Sequence, residues 1–482
     1  MVLRFTRNGA RLSRGWHVTN DDTTRRLDHT DDPDYADNLR RATLASSVGS
    51  ALEYFDFALY GLFSALIFGD LFFSNLPPEL AVVASLASFG VGFVARPLGG
   101  LFFGTLGDRL GRKWVLVVTI ALMGGATTLI GALPTYDSIG AWAPVLLTVL
   151  RLLQGFGAGA EQAGATVLMA EYSPVRRRGF FSALPFIGIQ LGTLLAALVF
   201  SLMSLLPDEV FFGWAWRLPF LSSFLLILLA LFIRMRLRET PTFVELEKHE
   251  QVAERPVRDI FTTGFPSVVV GIGLRMAENG GSYMFQTLGL AFVAGNFIAN
   301  PVDRGVATWG VTLGALIAMV VLPLSGHLSD RFGRRIVYRA GAVFLLLYSF
   351  PAWWVLSQGH PVGVIAVIAI GIGVAVNTML GPQCAMLPEL FGNRHRYLGV
   401  AMAREISAVL AGGLAGVLGA YLLAVSDGDW LLPAVYMATL ALITTASTFL
   451  VPETKGRDLL RHDDAIRVST DETHAAISTA VR

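Results

Sequence analysis

Two carboxylates stand in a stretch of sequence that is otherwise apolar and aromatic. Glu53 and Asp56 belong to the segment ALEYFDFALYG, residues 51–61, and apolar sequence continues on both sides of it. In a helix, residues three positions apart lie about 60° apart on the same face, and Tyr60 continues that face. A charged residue inside an apolar membrane helix costs roughly 2.5–3.5 kcal/mol, so such residues are candidates for function. The spacing therefore predicts a proton-binding face, and the alternative is a pair of structural carboxylates satisfied by neighbouring helices.

Further ionisable residues lie inside other apolar stretches, at Arg96, Arg151 and Glu161. A nearby guanidinium stabilises a charged carboxylate, so we expect Asp56 and Arg151 to form an ion pair that switches during function. Glu53 or Glu161 is the carboxylate expected to load and release a proton, and the sequence leaves open which carboxylate carries it. The predicted proton-coupling set is therefore Glu53, Asp56, Arg151 and Glu161. Arg151 is alternatively a structural clamp between helices, and Arg96 binds either a substrate anion or a structural partner.

A second polar face occurs late in the chain. Arg275, Glu278, Asn279 and Tyr283 stand at positions i, i+3, i+4 and i+8, which is one side of a helix. We expect this face to line a binding site, and the alternative is that Arg275 and Glu278 simply neutralise each other. With polar residues from other apolar stretches, the predicted substrate-binding set is Tyr60, Arg96, Gln190, Arg275, Glu278, Asn279, Tyr283, Asn377 and Gln383.

The adjacent residues Arg404 and Glu405 are another charged position inside an apolar stretch. Consecutive residues of a helix point about 100° apart, so both side chains cannot face one cavity. The sequence leaves the role of each open.

The elements that must position these residues are long apolar runs. Of the 482 residues, 54% are hydrophobic and 15% are charged, against roughly 25% charged residues in soluble proteins, and the mean hydropathy is +0.58. Runs of about 20 apolar residues, long enough to cross a bilayer as a helix, recur along nearly the whole chain, and helices satisfy their own backbone in lipid. We predict an all-α membrane protein whose twelve transmembrane helices lie near 43–69, 81–106, 114–134, 143–171, 180–206, 216–236, 264–294, 306–327, 336–357, 362–388, 398–425 and 431–451.

The distribution of Lys and Arg predicts the orientation of the chain. One alternating set of connecting loops carries fifteen Lys and Arg residues, whereas the other set carries only Arg304. Loops rich in Lys and Arg stay on the cytoplasmic side. We therefore expect a multi-pass protein of the cell membrane with both termini in the cytoplasm.

Three motifs occur twice in the same order. GTLGDRLGRK at 104–113 returns as GHLSDRFGRR at 326–335, EYSPVRRRG as ELFGNRHRYLG, and RETPTF as PETKGR, at offsets of 222, 218 and 214 residues. Duplication of this kind predicts two pseudo-symmetric six-helix bundles with the substrate site between them. The predicted parts are a disordered cytoplasmic tail at 1–40, a first bundle at 41–236, a cytoplasmic linker at 237–260, a second bundle at 261–455 and a cytoplasmic tail at 456–482.

These motifs resemble those of a known group of transporters. The repeated Gly-x-x-x-Asp-Arg-x-Gly-Arg-Lys loop, with twelve spans, resembles the major facilitator superfamily. SSVGSALEYFDFALYG, RLLQGFGAGAEQAGA, AENGGSYMF and GPQCAMLPELFGNRHRYLGV are similar to segments of its metabolite:proton symporter family, which includes α-ketoglutarate, shikimate and proline/betaine permeases. The resemblance covers roughly residues 40–455, and Arg404 and Glu405 depart from it, because related permeases often have an uncharged pair there.

The resemblance also implies roles for particular residues. The repeated loops would form ion-pair networks that close the cytoplasmic end and break when it opens, and acids and a cation at the positions of Glu53, Asp56, Arg151 and Glu161 would couple transport to protons. The gate residues that it implies are Asp108, Arg109, Arg112, Glu171 and Arg176 in the first half and Asp330, Arg331, Arg334, Glu389 and Arg394 in the second.

Other classes of function lack their motifs here. GFGAGA at 155–160 has the spacing of a nucleotide-binding loop, but it lies inside an apolar run with no strand before it, and close helix packing is the better interpretation. The sequence has no His-Glu-x-x-His, Gly-x-Ser-x-Gly or Walker lysine motif, and its single cysteine, Cys384, has no Cys or His cluster around it. We expect no enzyme activity, cofactor, metal or nucleic-acid partner, and a carrier that works as a monomer.

The predicted function is proton-coupled import of a small organic acid by alternating access. Arg96, Arg151, Arg275 and Arg404 favour a substrate with a carboxylate, such as a keto acid or a shikimate-like compound. The alternatives are import of a zwitterionic osmolyte such as proline or betaine, and a non-transporting sensor built on a carrier fold. The expected partners are the solute, protons and the lipid bilayer.

Overall fold

The structure is a computed structural model that describes residues 35–110, 112–159, 162–236, 260, 264–295, 297–393 and 395–466. Within these residues every element is helical and none is a strand, which confirms the predicted all-α fold. Twelve long helical segments follow one another along the described chain. They are α1 (Tyr35–Leu66), α2 (Pro78–Leu110), α3 (Arg112–Ala132), α4 (Trp142–Ala158 and Gln162–Tyr172), α5 (Val175–Met203), α6 (Arg217–Arg236), α7 (Phe265–Tyr283, Met284–Leu288 and Gly289–Ala294), α8 (Arg304–Phe332), α9 (Arg334–Ser357), α10 (Pro361–Leu390), α11 (Arg396–Val425) and α12 (Leu431–Leu450).

Seven helices in the described ranges are long and apolar enough to cross a membrane, namely α2 (over Pro78–Phe103), α5, α8, α9, α10, α11 and α12. Shorter apolar helices occur in α3 and α4, at Val117–Ala132 and Trp142–Ala158. Two other helices contain the charged pairs that the sequence singles out, Glu53 with Asp56 in α1 and Arg275 with Glu278 in α7. These charges lower the hydropathy of helices that are otherwise apolar.

The two six-helix bundles meet through two equivalent pairs of helices. Helix α5 of the first bundle packs against α8 of the second, and α2 of the first packs against α11 of the second. The repeated motifs make α2 equivalent to α8 and α5 equivalent to α11. The two contacts are therefore related by the pseudo-twofold symmetry of the duplication.

The GFGAGA segment lies in α4, which contacts α2 at very short range. A Cβ atom built on Gly155 would lie 1.9 Å from the carbonyl oxygen of Gly92, and one on Gly159 would lie 1.9 Å from that of Arg96. Only glycine allows two helix backbones to approach so closely. The prediction that this segment serves close helix packing is confirmed.

Three helices of the second bundle contain a turn of π-helix. The turns are Met284–Leu288 in α7, Gly371–Val376 in α10 and Ala408–Gly413 in α11. Turns of this kind are frequent at functional sites. Asn377 follows one of them directly, and Arg404 precedes another by four residues.

The ends of the described chain differ from the predicted tails. Residues 35–40 are the beginning of α1, and residues 452–466, which we call the C-terminal strap, fold back onto the molecule after α12. The side chain of Glu453 accepts hydrogen bonds from the backbone N–H groups of Arg334 (2.8 Å) and Arg335 (3.2 Å) at the start of α9, where a negative charge is favourable. Asp464 is buried. The predicted linker at 237–260 lies outside the described residues except for Ile260, and so do the residues before 35 and after 466.

Candidate substrate site and gate

A small polar cavity lies between the two bundles, about halfway along their helices. Its volume is ≈ 30 Å³, which holds about one or two water molecules. Helices α1, α5, α7, α10 and α11 form its wall. Six of the nine predicted substrate-binding residues line it, namely Gln190, Arg275, Glu278, Asn279, Tyr283 and Asn377.

On the second bundle, the wall of this cavity is held by a hydrogen-bonded network. The guanidinium of Arg275 lies 3.4 Å from the carboxylate of Glu278 and donates to the hydroxyl of Ser407 at 2.9 Å and to the amide oxygen of Gln383. Gln383 in turn donates to the hydroxyl of Tyr338 at 2.9 Å. Arg275 and Glu278 form an ion pair with each other, and both also line the cavity. Mutual neutralisation and a position in the cavity wall therefore do not exclude each other.

Arg96 ties the two bundles together. Its guanidinium forms ion pairs with Glu53 of α1 at 3.2 Å and with Glu405 of α11 at 3.1 Å. The rings of Phe57 and Phe93 lie 5.0 and 5.9 Å from its central carbon, a geometry that adds cation–π stabilisation. Of the two alternatives for Arg96, the structure favours the structural pair over a substrate contact.

Asp56 lies in a niche of the first bundle and accepts two hydroxyl hydrogen bonds. Ser223 of α6 donates to it at 2.7 Å and Thr127 of α3 at 3.0 Å. In the described part of the chain no ion pair joins Asp56 to Arg151, so the predicted direct contact is absent. A chain of hydrogen bonds connects them instead, because Arg151 donates to Gln154 and Gln154 donates to Thr127 at 2.8 Å.

Arg151 is held mainly by aromatic rings. Its central guanidinium carbon lies 4.4 Å from the ring centres of Phe57 and Tyr60 and 4.7 Å from that of Phe89. Its Nε donates to the carbonyl of Phe89 at 3.3 Å, while Nη2 has no hydrogen-bond partner among the described residues. A fully buried cation with one unsatisfied donor is costly, so this residue is available for a change of partner. Glu161, the fourth predicted coupling residue, lies outside the described residues.

Three of the predicted substrate-binding residues lie behind the cavity wall. Tyr60 is bonded to the hydroxyl of Ser88 at 2.8 Å, Arg96 is used by its two ion pairs, and Gln383 supports Arg275. The face of α1 that contains Glu53 and Tyr60 contacts α2, through Arg96 and Ser88, and the cavity is lined instead by Tyr54, Phe57 and Ala58 of α1. Arg404, whose role the sequence left open, does line the cavity, whereas Glu405 does not, as expected from their angular separation.

At one end of the molecule, which we call the basic end, two symmetric ion pairs join the bundles. Arg178 of α5 contacts Glu389 of α10 at 3.0 Å, and Arg396 of α11 contacts Glu171 of α4 at 2.9 Å. Arg178 and Arg396 are 218 positions apart in the sequence, and so are Glu171 and Glu389. This is the offset of the repeated motif. The basic end is therefore closed by one interaction used twice.

The repeated loop of the second half adds to this closure. Asp330 accepts hydrogen bonds from the backbone N–H groups of Gly179 (2.8 Å) and Phe180 (2.9 Å) at the start of α5. It also pairs with Arg334 at 2.6 Å, and Arg334 contacts Glu389 at 3.3 Å. Asp330, Arg334 and Glu389 thus lie in one buried cluster that reaches the first bundle.

One predicted gate residue, Arg176, is replaced by a neighbour two positions further on. Arg176 is exposed and takes part in no ion pair of the described residues, whereas Arg178 does. Arg396 occupies the equivalent position in the second half, and Arg394 lies outside the described residues. The segment after Glu171 is a short 3₁₀ turn, Val175–Arg177, which points the third arginine inward. Arg331 is exposed, and the side chains of Asp108, Arg109 and Arg112 lie outside the described part of the structure.

The opposite end is closed by different contacts. Ser201 of α5 and Thr308 of α8 share a hydroxyl hydrogen bond of 2.7 Å, and the ring of Tyr283 packs on Phe89 and Phe93 of α2 at 5.5 and 5.1 Å. Both routes out of the cavity are therefore shut. Two helical bundles enclosing a polar cavity with a closure at each end are the architecture of a solute carrier.

The comparisons with known proteins agree with this class. Residues 42–268 match the family model described as Sugar (and other) transporter, and residues 270–478 match the Major Facilitator Superfamily model. The chain belongs to the major facilitator superfamily, within its metabolite:proton symporter family. It is a multi-pass membrane transporter and not an enzyme.

The chain aligns with most of the length of several curated relatives. The chain is 38% identical over 432 residues to a proline/betaine transporter of Escherichia coli (strain K12), which spans 87% of this chain and 85% of the relative. It is 36% identical to a glycine betaine/proline/ectoine/pipecolic acid transporter of Dickeya dadantii, with the same shares covered. A shikimate transporter of E. coli (strain K12) is 34% identical over 86% of this chain and 95% of the relative.

Solved structures agree at the level of the fold. A D-xylose–proton symporter matches with a TM-score of 0.68 at 19% identity, over 86% of this chain and 99% of that chain. An inward-open conformation of the xylose transporter from E. coli matches with a TM-score of 0.64 at 19% identity, over 89% of this chain and 99% of that chain. At this identity the likeness is one of fold alone.

Proposed function

We propose that this protein imports a zwitterionic solute of the betaine or proline type together with protons, by alternating access. The observation that carries this proposal is the balance of buried charge around the cavity. Three arginines, Arg96, Arg275 and Arg404, are matched by three glutamates, Glu53, Glu278 and Glu405, all at most 7% exposed. Arg275, Arg404 and Glu278 line the cavity itself, and the other three charges belong to the ion pairs of Arg96 behind its wall. A zwitterion enters such a site without changing its net charge, whereas an anion adds a buried charge whose desolvation must be compensated.

The lining residues supply both halves of a zwitterion site. Arg404 is the cation proposed for the carboxylate, since it lines the cavity from α11 and a guanidinium binds a carboxylate in bidentate fashion. Glu278 and the aromatic side chains of Tyr54, Phe57 and Tyr283, which line the same cavity, are proposed for the ammonium group. Aromatic faces with a carboxylate are a common environment for quaternary ammonium groups.

Asp56 is the residue that we propose for proton coupling. Its niche of two hydroxyls stabilises a carboxylate without a permanent cation, and the chain through Thr127 and Gln154 links its charge to Arg151. A proton on Asp56 removes the negative charge at one end of this chain of hydrogen bonds. The chain then holds Arg151, at its other end, less strongly, and Arg151 can change its contacts. Glu53, held by Arg96, and Glu161 stay predicted members of the coupling set.

The orientation and division of the chain are part of the proposal. The basic end is assigned to the cytoplasm with both termini, the two bundles at 41–236 and 261–455 move against each other about the linker at 237–260, and one chain suffices for transport. The relatives named as proline/betaine transporters support the solute class.

A small organic acid, the first choice from the sequence, is the second candidate. The relative named as a shikimate transporter favours it. Once one buried carboxylate is protonated, the balanced site gains a positive charge that would hold a monoanion. The named transporters among the relatives argue against the third alternative, a sensor that binds without transporting.

Uptake by the purified protein in liposomes tests these candidates. We expect labelled glycine betaine or proline to accumulate under an inward proton gradient, and a protonophore to abolish the accumulation. Preferential accumulation of shikimate-like acids would favour the second candidate, and binding without flux under any gradient would favour the sensor.

Asp56→Asn tests the coupling residue in the same liposomes. We expect loss of proton-driven accumulation with retention of solute exchange, because the amide keeps the niche filled but cannot exchange a proton. Asp208→Asn, at an exposed position before α6, is the matched control and should behave as the unmodified protein. Normal accumulation by Asp56→Asn would remove Asp56 from the mechanism.

A further inference from the structure

A second and larger cavity lies at the end of the molecule opposite the basic end. Its volume is ≈ 160 Å³, against ≈ 30 Å³ for the central cavity. It is formed by the end of α1, the start of α2, the end of α7 and the start of α8, so both bundles contribute to it. None of the residues assigned above to the substrate site or the gate lines it.

Three ionisable side chains face this outer cavity, namely Asp70, Glu79 and Arg304. Arg304 Nη2 lies 3.9 Å from Asp70 Oδ2, and the two side chains are 36% and 66% exposed. Glu79 takes part in no hydrogen bond or ion pair of the described residues. The net charge of the three is −1, which disfavours a simple anion and accommodates a zwitterion or a cation.

Arg304 is positioned for binding rather than for anchoring. It is the only Lys or Arg in the set of loops predicted to face outward, and its guanidinium lies 4.9 Å from the ring centre of Phe212, which orients it. The neighbouring Asp303 accepts from the N–H groups of Gly305 (2.8 Å) and Val306 (3.2 Å) and so serves as the cap of α8. Asp303 is used as this cap, and the ion-pair partner of Arg304 is the exposed Asp70, 3.9 Å away.

An exposed ion pair of this kind contributes only about 0–1 kcal/mol. A solute carboxylate can consequently take the place of Asp70 on Arg304 at little cost. The released carboxylate of Asp70, with Glu79 and the aromatic ring of Phe297 that lines the same cavity, then faces the ammonium group of the solute.

The outer cavity lies in line with the central one. Ser64 and Ala65 line the outer cavity, and Phe57 and Ala58 line the central cavity, on the same helix. Seven residues of helix span about 10 Å. The layer formed by Tyr283 on Phe89 and Phe93 separates the two cavities.

We propose that the outer cavity is a second binding site for the transported zwitterion, in which Arg304 binds the carboxylate and Asp70 with Glu79 binds the ammonium group. This inference rests on the proposed function and adds an outer recognition step to it. The site holds the solute at the outer mouth before the aromatic layer opens. Its negative net charge selects zwitterions over organic anions before the central site is reached.

The test compares the two directions of transport in liposomes of known orientation, with labelled glycine betaine as the probe. Arg304→Gln should raise the KM for uptake from the outer side about tenfold, the effect of losing one charge-assisted hydrogen bond, and leave the KM for exchange from the inner side unchanged. Arg304→Lys should retain most of the affinity, and Glu79→Gln should raise the outer KM by a smaller factor. Arg461→Gln, at an exposed arginine of the C-terminal strap, is the matched control and should leave the outer KM unchanged.

Two results would overturn the outer site alone. They are an unchanged outer KM in Arg304→Gln, and an equal change in both directions, which is the behaviour of a contact that only supports the fold or the closure. If the unmodified protein transports no zwitterion while it accumulates an organic acid, the proposed function fails and the outer site fails with it.

Discussion

The two ends of the carrier are closed by interactions of different strength. At the basic end, Arg178 and Glu389 are 4% and 0% exposed and belong to a cluster with Asp330 and Arg334. At the opposite end, the polar and aromatic contacts between the bundles in the described ranges include a hydroxyl pair, an aromatic layer and one exposed ion pair at 3.9 Å. Leaving one member of a buried ion pair without its partner costs roughly 3–5 kcal/mol, whereas an exposed pair contributes about 0–1 kcal/mol.

This difference in strength indicates which end of the carrier can open without bound solute. Opening the opposite end breaks weak contacts, so thermal motion suffices. Opening the basic end separates buried charges, and we propose that the bound solute and proton compensate for this cost. With the basic end assigned to the cytoplasm, as proposed above, such a carrier would stay closed toward the cytoplasm until it is loaded.

Glu389→Gln should have the largest effect on this comparison. Glu389 accepts from Arg178 at 3.0 Å, from Arg334 at 3.3 Å and from Thr454 at 2.9 Å, and the amide leaves Arg178 buried without a counter-charge. We expect the basic end to open spontaneously in the absence of solute.

The single cysteine provides the measurement. Cys384 is 2% exposed and packs in a cluster with Ala183, Phe186 and Ile189 of α5, between the cavity and the basic end. Its rate of modification by a maleimide should rise on the order of 10-fold or more, since each 1.4 kcal/mol changes an equilibrium tenfold.

The pseudo-symmetric residue supplies the matched control for Glu389→Gln. Glu171 forms the equivalent pair with Arg396, but its side chain is 36% exposed against 0% for Glu389. Among the described residues Glu171 pairs with Arg396 alone, whereas Glu389 pairs with both Arg178 and Arg334. Glu171→Gln therefore removes a single ion pair whose carboxylate is open to water, and it should raise the modification rate of Cys384 less than Glu389→Gln does. Equal modification rates of Cys384 in the two variants would contradict the difference in burial on which the comparison depends.

The helices and the duplication could be predicted because each rests on a local or repeated pattern. Long apolar runs define the spans, and three motif pairs define the halves. The faces around Arg275 and Glu278 follow from helical spacing alone. Both residues lie within the regular α-helical part of α7, Phe265–Tyr283, where helical spacing suffices to find the lining residues.

The remaining parts of the site depend on contacts between helices, which spacing does not contain. Arg96 pairs with Glu405 across 309 positions of sequence, and Asp56 is satisfied by Ser223 and Thr127, residue types that occur throughout apolar helices without signalling a role. The choice of Arg178 over Arg176 follows from a 3₁₀ turn that turns the chain after Pro174. The C-terminal strap gave no apolar signal, because polar atoms hold it in place.

An intermediate effect is expected for Asp464→Asn in the C-terminal strap. Asp464 accepts hydrogen bonds from the N–H of Gly392 and from the ring of His395, both at 2.8 Å, and the strap carbonyl of Arg457 accepts from Arg178 at 2.9 Å. Hydrogen bonds to a charged group contribute about 1.5–3 kcal/mol, so the variant should lower the apparent melting temperature in detergent. Modification of Cys384 should rise less than in Glu389→Gln, because the gate pairs remain.

The pH dependence of this effect follows from the state of Asp464. Burial raises its pKa, but the hydrogen bonds from His395, Ser267 and the N–H of Gly392 outweigh burial and hold the pKa below its ordinary value. A lowered pKa means that the stabilisation by this carboxylate is complete above about pH 4, the ordinary value, and is lost as the pH falls through the lowered one. The difference in melting temperature between Asp464→Asn and the unmodified protein should therefore shrink only in that acidic range. A difference that shrinks between pH 8 and pH 5 would assign the dependence to another group.

The smallest effect is expected for Ser201→Ala at the opposite end. Its hydroxyl bond to Thr308 at 2.7 Å joins the bundles there, but Thr308 keeps a hydrogen bond to the carbonyl of Gly305 at 2.8 Å. Loss of a neutral hydrogen bond costs about 0.5–1.5 kcal/mol, and the loss is smaller when the remaining partner is satisfied. The variant should lower the apparent melting temperature slightly and leave the maleimide reaction of Cys384 unchanged, because that residue lies on the other side of the cavity. A large rise in Cys384 reactivity would mean that the two closures are coupled in the resting protein, and the strengths of the two ends could no longer be treated separately.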